Sequence, residues 1–176
     1  MSDVLIGGIE KRKIVIVNYD PRWPEKFQEH AAILSRVLGS KALAIEHVGS
    51  TSVPGLAAKP VIDIMAPVRG LESSRPALAA LEAVGYCYAP YKAEVEHWFC
   101  KPSPEHRTHH LHLVPLDSRV WVECLAFRDL LASDPGVANA YAALKYRLAK
   151  DYRNDRERYT EEKWPFIEKA LHRAAG

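Results

Sequence analysis

Ile45–Leu56 (IEHVGSTSVPGL) and Lys59–Ile64 (KPVIDI) are the two segments that decide the fold of this chain. The first predicts a strand that runs into a glycine and three hydroxyl residues, with a short helical piece starting at Pro54. The second predicts another strand, a β-branched run that contains one carboxylate, Asp63. A carboxylate in an apolar strand is costly to bury unless it is paired, hydrogen-bonded or bound to a metal. We therefore expect Asp63 to be functional rather than a turn cap.

The turn between these strands, Gly49–Ser52, has the residue types of an anion-binding loop. Glycine lets the backbone approach a bound group closely. Hydroxyls and turn amides hold anions, especially where a helix begins next. If the two strands are neighbours, the turn and Asp63 meet at one end of a sheet. Such an arrangement can hold a phosphate at Gly49, Ser50 and Thr51 and a cation at Asp63.

Composition sets the broad class. The 176 residues are 48% hydrophobic and 26% charged, enough apolar material for the core of one globular domain. A net charge of +2, with acids interleaved among the bases, argues against a nucleic-acid partner. The three cysteines form no CxxC pair, and we expect free thiols in a reducing compartment. No signal peptide or membrane span is recognisable, so the predicted location is the cytoplasm and no membrane partner is expected.

Periodicity predicts an α/β chain that becomes helical towards its end. Residues 1–12 form a loose arm, and residues 13–176 form a single domain whose part 118–176 is helical. The predicted fold is a mixed β-sheet flanked by helices, with a helical C-terminal region. The first expected elements are a strand at Ile14–Val17, a helix from Asp20-Pro21 to Leu38 and, after the two segments above, a turn at Pro67–Gly70. A helix entered at Ser73–Pro76 then precedes three strands, at Tyr86–Tyr88, Val95–Cys100 and Thr108–Val114. The remaining elements are helices that start near Ser118 and at Asp134-Pro135, and a last helix capped by Thr160.

The run HVGSTSVPGLAAKPVIDI, with the later HHLHLV and FRDLL, resembles the GrpB family of small bacterial proteins. The resemblance covers the chain from about Val15 to Ile167. It implies a fold of the nucleotidyltransferase superfamily. GrpB-like domains also occur fused to dephospho-coenzyme A kinase, which implies that this kinase is a partner. Because one fold hosts many activities, the resemblance adds more about the fold than about the function.

The nucleotidyltransferase pattern has a Gly-Ser pair, a spacer and two acids separated by one apolar residue on a strand. Here Gly49-Ser50 and Asp63 match, but Met65 stands where the second acid would be. A thioether does not bind a hard cation such as magnesium. This departure puts ordinary two-metal nucleotidyl transfer in doubt.

The strand Thr108–Val114 carries histidines where that pattern has its third acid. His110 and His112 are two residues apart and share a face. His47 precedes Gly49 by two residues and is expected to lean the same way. We predict a site in which Asp63, His110 and His112 are catalytic and, with His47, bind a divalent cation. Imidazole together with carboxylate suits zinc, manganese, iron or nickel better than magnesium. Alternatively, a histidine acts as general base or phosphate contact, or the strand is an ordinary hydrogen-bonded surface.

Several further residues are candidate ligand contacts. Lys59 enters the Asp63 strand and either neutralises a phosphate or is simply solvated. Lys101 follows the predicted strand Val95–Cys100 and is expected to face the same cleft. Four residues resemble the family's C-terminal signature: Lys145, Tyr159, Lys163 and Phe166. Of these, Tyr159 and Lys163 either reach the cleft or only fix the last helix.

The expected function is binding of a nucleotide or another phosphorylated small molecule with a divalent cation, which is magnesium, manganese or zinc. Nucleotidyl or phosphoryl transfer is the reaction class if the protein is an enzyme. Two alternatives stay open: a catalytically inactive helper module near coenzyme A synthesis, and a hydrolase that uses a single metal.

Overall fold

A computed structural model describes residues 13–90 and 92–176, and a five-stranded sheet lies at its centre. The strands are β1 Glu46–Val48, β2 Ile62–Val68, β3 Cys87–Tyr88, β4 His97–Pro102 and β5 Arg107–Pro115. Their spatial order is β1-β2-β5-β4-β3. Strands β2 and β5 are parallel, and the other neighbouring pairs are antiparallel. The predicted mixed sheet is therefore confirmed.

Helices pack around this sheet and account for nearly all of the chain after it. They are α1 Trp23–Leu38, α2 Leu71–Ser74, α3 Leu78–Ala83, α4 Arg119–Ser133, α5 Pro135–Asp151, α6 Arg156–Glu161 and α7 Trp164–Ala175. The predicted helical region 118–176 is confirmed. Helix α5 begins as predicted, since the Asp134 carboxylate accepts a hydrogen bond from the Val137 amide and Pro135 occupies the first turn.

One face of the sheet, called here the core face, carries the main hydrophobic core. Alternation along β2 and β5 directs buried aliphatic side chains to this face, where α1 covers them. The central members are fully buried: Leu34 and Leu38 from α1, Ile62 and Ile64 from β2, Leu111 and Leu113 from β5, and Phe99 from β4. Burial of each such side chain contributes about 1.5–3 kcal/mol, which makes this face the main source of stability.

The opposite face, called here the site face, is covered by the C-terminal helices at one end. Val48, Met65 and Val114 pack there against Val120 and Trp121 of α4. A further apolar cluster joins the turn after Ser52 to α4, α5 and α7 through Val53, Leu56, Phe127, Leu131, Tyr141 and Ala170. Asp63, His110 and His112 alternate with the core residues and therefore lie on the site face.

Several predicted boundaries are wrong for identifiable reasons. Ile14–Val17 is not a strand; only Val17 forms a bridge, to Ala58. Helix α1 begins at Trp23, because the Asp20 carboxylate binds the amide and guanidinium of Arg22 in a local turn rather than capping a helix.

Three more boundaries differ from the prediction. Pro54 lies in a turn, since the helical piece is a 3-10 turn at Ser50–Ser52. Pro67 belongs to β2 rather than to a turn. Thr160 lies inside α6, where its hydroxyl donates to the Arg156 carbonyl, so it caps nothing.

The predicted arm at residues 1–12 lies outside the described residues, and the assignment of residues 13–176 to one domain stays a prediction. The three cysteines are free thiols, as expected. Within the described part of the chain, no helix has the length and hydropathy needed to span a bilayer. The cytoplasmic location stays a prediction.

Candidate functional site

Asp63 and His110 meet because their strands are parallel neighbours in register. Their Cα atoms are directly paired, and Nδ1 of His110 donates to Oδ1 of Asp63 at 2.9 Å. One possible ligand atom each from Asp63, His110 and His112 lies within 4.8 Å of the others. The predicted convergence of the histidine strand on the lone acid is confirmed. We call these three residues the His-Asp group.

Protonation within this group follows from its burial. Burial lowers the pKa of His110, although the hydrogen bond and charge of Asp63 oppose that shift. Burial by itself would raise the pKa of Asp63, but the hydrogen bond from His110 and nearby cationic groups lower it to about 2. At neutral pH Asp63 is therefore a carboxylate that accepts a hydrogen bond from a neutral imidazole.

Gly49 brings the predicted anion-binding turn onto Asp63. Its φ of 70° and ψ of −176° lie in a region that essentially only glycine adopts. A Cβ atom at Gly49 would lie 2.6 Å from Oδ2 of Asp63. Both the backbone conformation and the close approach therefore require glycine, and the expectation that the turn and Asp63 share one end of the sheet is confirmed.

A carboxylate that sequence analysis did not select, Glu96, completes the surroundings of His112. Nδ1 of His112 lies 2.6 Å from Oε2 of Glu96, which is itself buried. Burial disfavours a charged His112, but the hydrogen bond and charge of Glu96 outweigh it and raise the pKa of His112. The signal that would have found Glu96 is strand parity, because Trp98 pairs with His112 and Glu96 is two residues before Trp98.

Three buried or half-buried lysines, Lys59, Lys145 and Lys163, form a second group beside Asp63, called here the lysine group. Lys145 is 2% exposed, and its ammonium donates to Oγ of Ser50 at 2.8 Å and to the Ala57 carbonyl. The ammonium groups of Lys59 and Lys163 lie 4.9 and 4.7 Å from the ring centroid of Tyr159. Tyr159 is fully buried, so its ring fixes both lysines.

Burial lowers the pKa of all three lysines in the lysine group. Burial, followed by the charges of Lys163 and Lys59, lowers the pKa of Lys145 to about 7. Burial and the charge of Lys59 lower the pKa of Lys163 to about 7, against the pull of Asp63. Burial also lowers the pKa of Lys59. Close ammonium groups in a poorly solvated site stabilise a bound anion.

A cleft of about 760 Å³ opens next to both groups. Its walls include His110 and Lys59 together with three more basic side chains, Lys13, Arg107 and Arg156. No Asp or Glu is among the described residues that line it. The cleft therefore extends the cationic surface outwards from Asp63.

Three predicted site residues lie elsewhere. His47 pairs with Ile64 and faces the core, where its ring stacks on Phe27 at 4.8 Å, so we remove it from the predicted metal ligands. Thr51 is buried, and its hydroxyl binds His47 and the Val61 carbonyl rather than facing a ligand. Lys101 also points away from the cleft, because its ammonium donates to the Val84 carbonyl at 2.7 Å.

The model of one protein family, described as GrpB protein, matches residues 13–173. The chain belongs to the GrpB family. A UPF0157 protein of Pseudomonas aeruginosa is 39% identical over 167 residues, which are 92% of this chain and 68% of that protein. The crystal structure of conserved protein GrpB from Enterococcus faecalis superimposes with a TM-score of 0.81 at 32% identity. The superposition covers 92% of this chain and all of that one, so the fold described above is a GrpB fold.

A longer relative is a dephospho-CoA kinase of Mycolicibacterium paratuberculosis, which is 28% identical over 191 residues. The match covers 94% of this chain but only 47% of that protein. The GrpB-like part is therefore about half of the longer chain.

Proposed function

We propose that this GrpB protein binds a phosphorylated small molecule of the nucleotide class together with one divalent cation on the site face of its sheet. The observation that carries the proposal is the meeting of the lysine group and the His-Asp group at the Gly49 turn. The lysines would contact phosphate oxygens, and Asp63 with its two histidines would hold the cation.

The argument for an anion starts from the unpaired charge of the lysine group. Among residues 13–90 and 92–176, none of these lysines has a carboxylate oxygen within 4.0 Å of its ammonium. Burying ammonium groups near one another is unfavourable unless something of opposite charge binds them. A phosphate supplies that charge and enough acceptor oxygens for several lysines. Ser50, which already contacts Lys145, adds a hydroxyl to the same place.

The cleft indicates how large the ligand is. Its volume of about 760 Å³ lies within the roughly 300–1,000 Å³ that is usual for small-molecule sites. Arg107 and Arg156 lie in its wall, so a ligand with more than one anionic group would be bound better than inorganic phosphate. Nucleoside triphosphates and coenzyme A precursors have this character.

The donor set fits a divalent cation. Asp63, His110 and His112 bring their ligand atoms within 4.8 Å of one another, and Nε2 of His110 is buried with no hydrogen-bond partner in the described part of the chain. Magnesium, manganese and zinc are the candidates, and the two imidazoles favour zinc or manganese. A cation there would neutralise charge on the phosphate.

The reaction class that we propose is nucleotidyl or phosphoryl transfer, in keeping with the nucleotidyltransferase superfamily fold that the sequence resemblance implies. Met65 is 2% exposed on the site face and stands at the position of the second acid. Because a thioether does not bind hard cations, the proposal is limited to one cation rather than the usual two.

Met65 also favours a second candidate, a binding module without catalytic activity. The dephospho-CoA kinase relative supports this candidate, since a GrpB-like segment makes up part of that longer protein. In this version the chain binds a coenzyme A precursor, and its partner is dephospho-coenzyme A kinase.

The test is calorimetric titration of ATP and of dephospho-coenzyme A into protein that has been stripped of metal and then loaded with manganese or zinc. Lys163→Met should weaken binding about 10- to 100-fold, because it removes one charge-assisted hydrogen bond to the phosphate and such a bond usually contributes this much to the affinity. The matched control is Lys169→Met, on the exposed surface of α7. Binding that needs the metal and fails in Asp63→Asn supports transfer chemistry, whereas binding that survives Asp63→Asn supports the binding module. Stoichiometric zinc with no response to either ligand would instead favour the single-metal hydrolase.

A further inference from the structure

Both histidines of the His-Asp group turn the same ring nitrogen towards a carboxylate. Nδ1 of His110 contacts Asp63 at 2.9 Å, and Nδ1 of His112 contacts Glu96 at 2.6 Å. An ionised carboxylate only accepts hydrogen bonds, so each Nδ1 carries the proton. In a neutral imidazole the remaining nitrogen, Nε2, then has a free lone pair.

The Nε2 atom of His110 is buried and has no hydrogen-bond partner among the described residues. A buried acceptor without a partner destabilises the folded protein. Such groups are rare in folded proteins and often mark a place where an ion or water binds. A metal ion at this atom would remove the cost.

One oxygen of Asp63 contacts a histidine, and the other lies against the Gly49 turn. Oδ1 accepts from His110, and Oδ2 faces the Gly49 backbone, only 2.6 Å from where a Cβ atom would lie. Asp63 thus fixes the orientation of the His110 ring through Oδ1.

From these contacts we propose that one zinc-class cation binds to Nε2 of His110 and Nε2 of His112, while Asp63 and Glu96 position the two rings through their Nδ1 atoms. This inference rests on the cation of the proposed function and specifies how it is bound. Carboxylates that accept from the second nitrogen of a metal-binding histidine fix the tautomer and raise the basicity of the ligand. Phosphate oxygens and water would fill the remaining coordination positions, which makes a borderline metal such as zinc a better fit than magnesium.

The direct test is a two-bond proton–nitrogen correlation spectrum of protein labelled with ¹⁵N-histidine and titrated with zinc chloride alone. The two rings are assigned with the variants His110→Gln and His112→Gln, because each variant lacks the set of signals that belongs to the substituted histidine. The expected spectrum shows both rings protonated at Nδ1 and bound to zinc at Nε2, at one zinc per chain. Zinc on either Nδ1 atom, or no stoichiometric zinc, would overturn the inference.

The role of Glu96 is tested by Glu96→Gln, with exposed Glu94→Gln as the matched control. Glu96→Gln should weaken zinc binding about 10- to 100-fold while one zinc per chain still binds, because the ligands themselves remain. Wild-type affinity in Glu96→Gln, with the fold checked by circular dichroism, would contradict a positioning role.

Zinc alone is the probe, so the inference and the proposed function can fail separately. Zinc bound through both Nε2 atoms, with no response to ATP, supports the inference and removes the phosphate-binding function. If the affinity for ATP is the same with and without zinc, and the histidine signals do not change on addition of zinc, the inference is overturned. The phosphate-binding half of the proposal then remains intact.

Discussion

Substitution of Lys145 by Met should remove part of the pH dependence of folding. The Lys145 ammonium is buried beside Ser50 and the Ala57 carbonyl, and it faces the charges of Lys163 and Lys59. Burial and those two charges lower the pKa of Lys145 to about 7 from its ordinary value of 10.5. In the unfolded chain the ordinary value returns.

The sign and size follow from linkage. Between pH 7 and pH 10.5 the unfolded chain binds the Lys145 proton more strongly than the folded protein, so the free energy of unfolding rises with pH. With pKa values of 7 and 10.5, linkage gives a rise of about 2 kcal/mol from pH 7 to pH 9. Lys163, whose pKa is also lowered to about 7, contributes a similar rise. Lys145→Met should therefore abolish the Lys145 part of this rise and leave the parts that come from the other lysines.

The assay is urea denaturation at pH 7, 8 and 9 in a buffer without phosphate and with a chelator. The quantity compared is the change in the free energy of unfolding between pH 7 and pH 9, in wild type, in Lys145→Met and in the exposed control Lys169→Met. The control should match the wild type, and Lys145→Met should show a change smaller by about 2 kcal/mol. Equal changes in all three proteins would refute a buried lysine with a lowered pKa. Absolute stability is not the readout, because loss of the ammonium also leaves the Ala57 carbonyl without this donor.

Three further substitutions test the account by their effect on the free energy of unfolding. Gly49→Ala should destabilise by more than about 2 kcal/mol, because its backbone conformation suits only glycine and its methyl group would meet Asp63; an unchanged urea midpoint would contradict that geometry. Leu111→Ala, at a fully buried position of the core face, should cost about 2–5 kcal/mol in the same assay, and a cost below 1 kcal/mol would mean that the core is elsewhere. Asp134→Ala should cost about 0.5–2 kcal/mol by removing the cap of α5 at the Val137 amide, and a neutral result in thermal melts would mean that the cap is not formed.

The meeting of Asp63 and His110 was predictable only in part. Alternation within the strand Thr108–Val114 was enough to put His110 and His112 on one face. The sequence contains no information that pairs this strand with β2 in parallel, since that register depends on the crossover through β3 and β4. The strands were therefore found, but their contact was a hypothesis until the fold was known.

Two of the three misplaced site residues, His47 and Lys101, result from errors in strand parity. His47 was expected on the site face because it lies close to Gly49, but the pairing of Val48 with Asp63 sends the neighbouring His47 to the core face. Lys101 follows the same alternation as Phe99 and so also leaves the site face. A strand as short as Glu46–Val48 shows too little alternation to reveal which side is buried.

The burial of Lys145 could not be predicted from the local sequence. This lysine resembles part of the family's C-terminal signature, but it lies nearly a hundred residues after Ser50, and no local pattern in its helix marks it as buried. Its position depends on how α5 packs over the Gly49 turn, which is a property of the tertiary structure and not of any local pattern.

The most direct test of the shared cation and phosphate site is anomalous diffraction at the zinc edge from crystals soaked in zinc chloride and ATP. The predicted result is one anomalous peak between His110 and His112, with phosphate density in hydrogen-bonding contact with Lys59, Lys145 or Lys163. Zinc and phosphate bound at separate places, with the site face occupied by neither, would contradict the account.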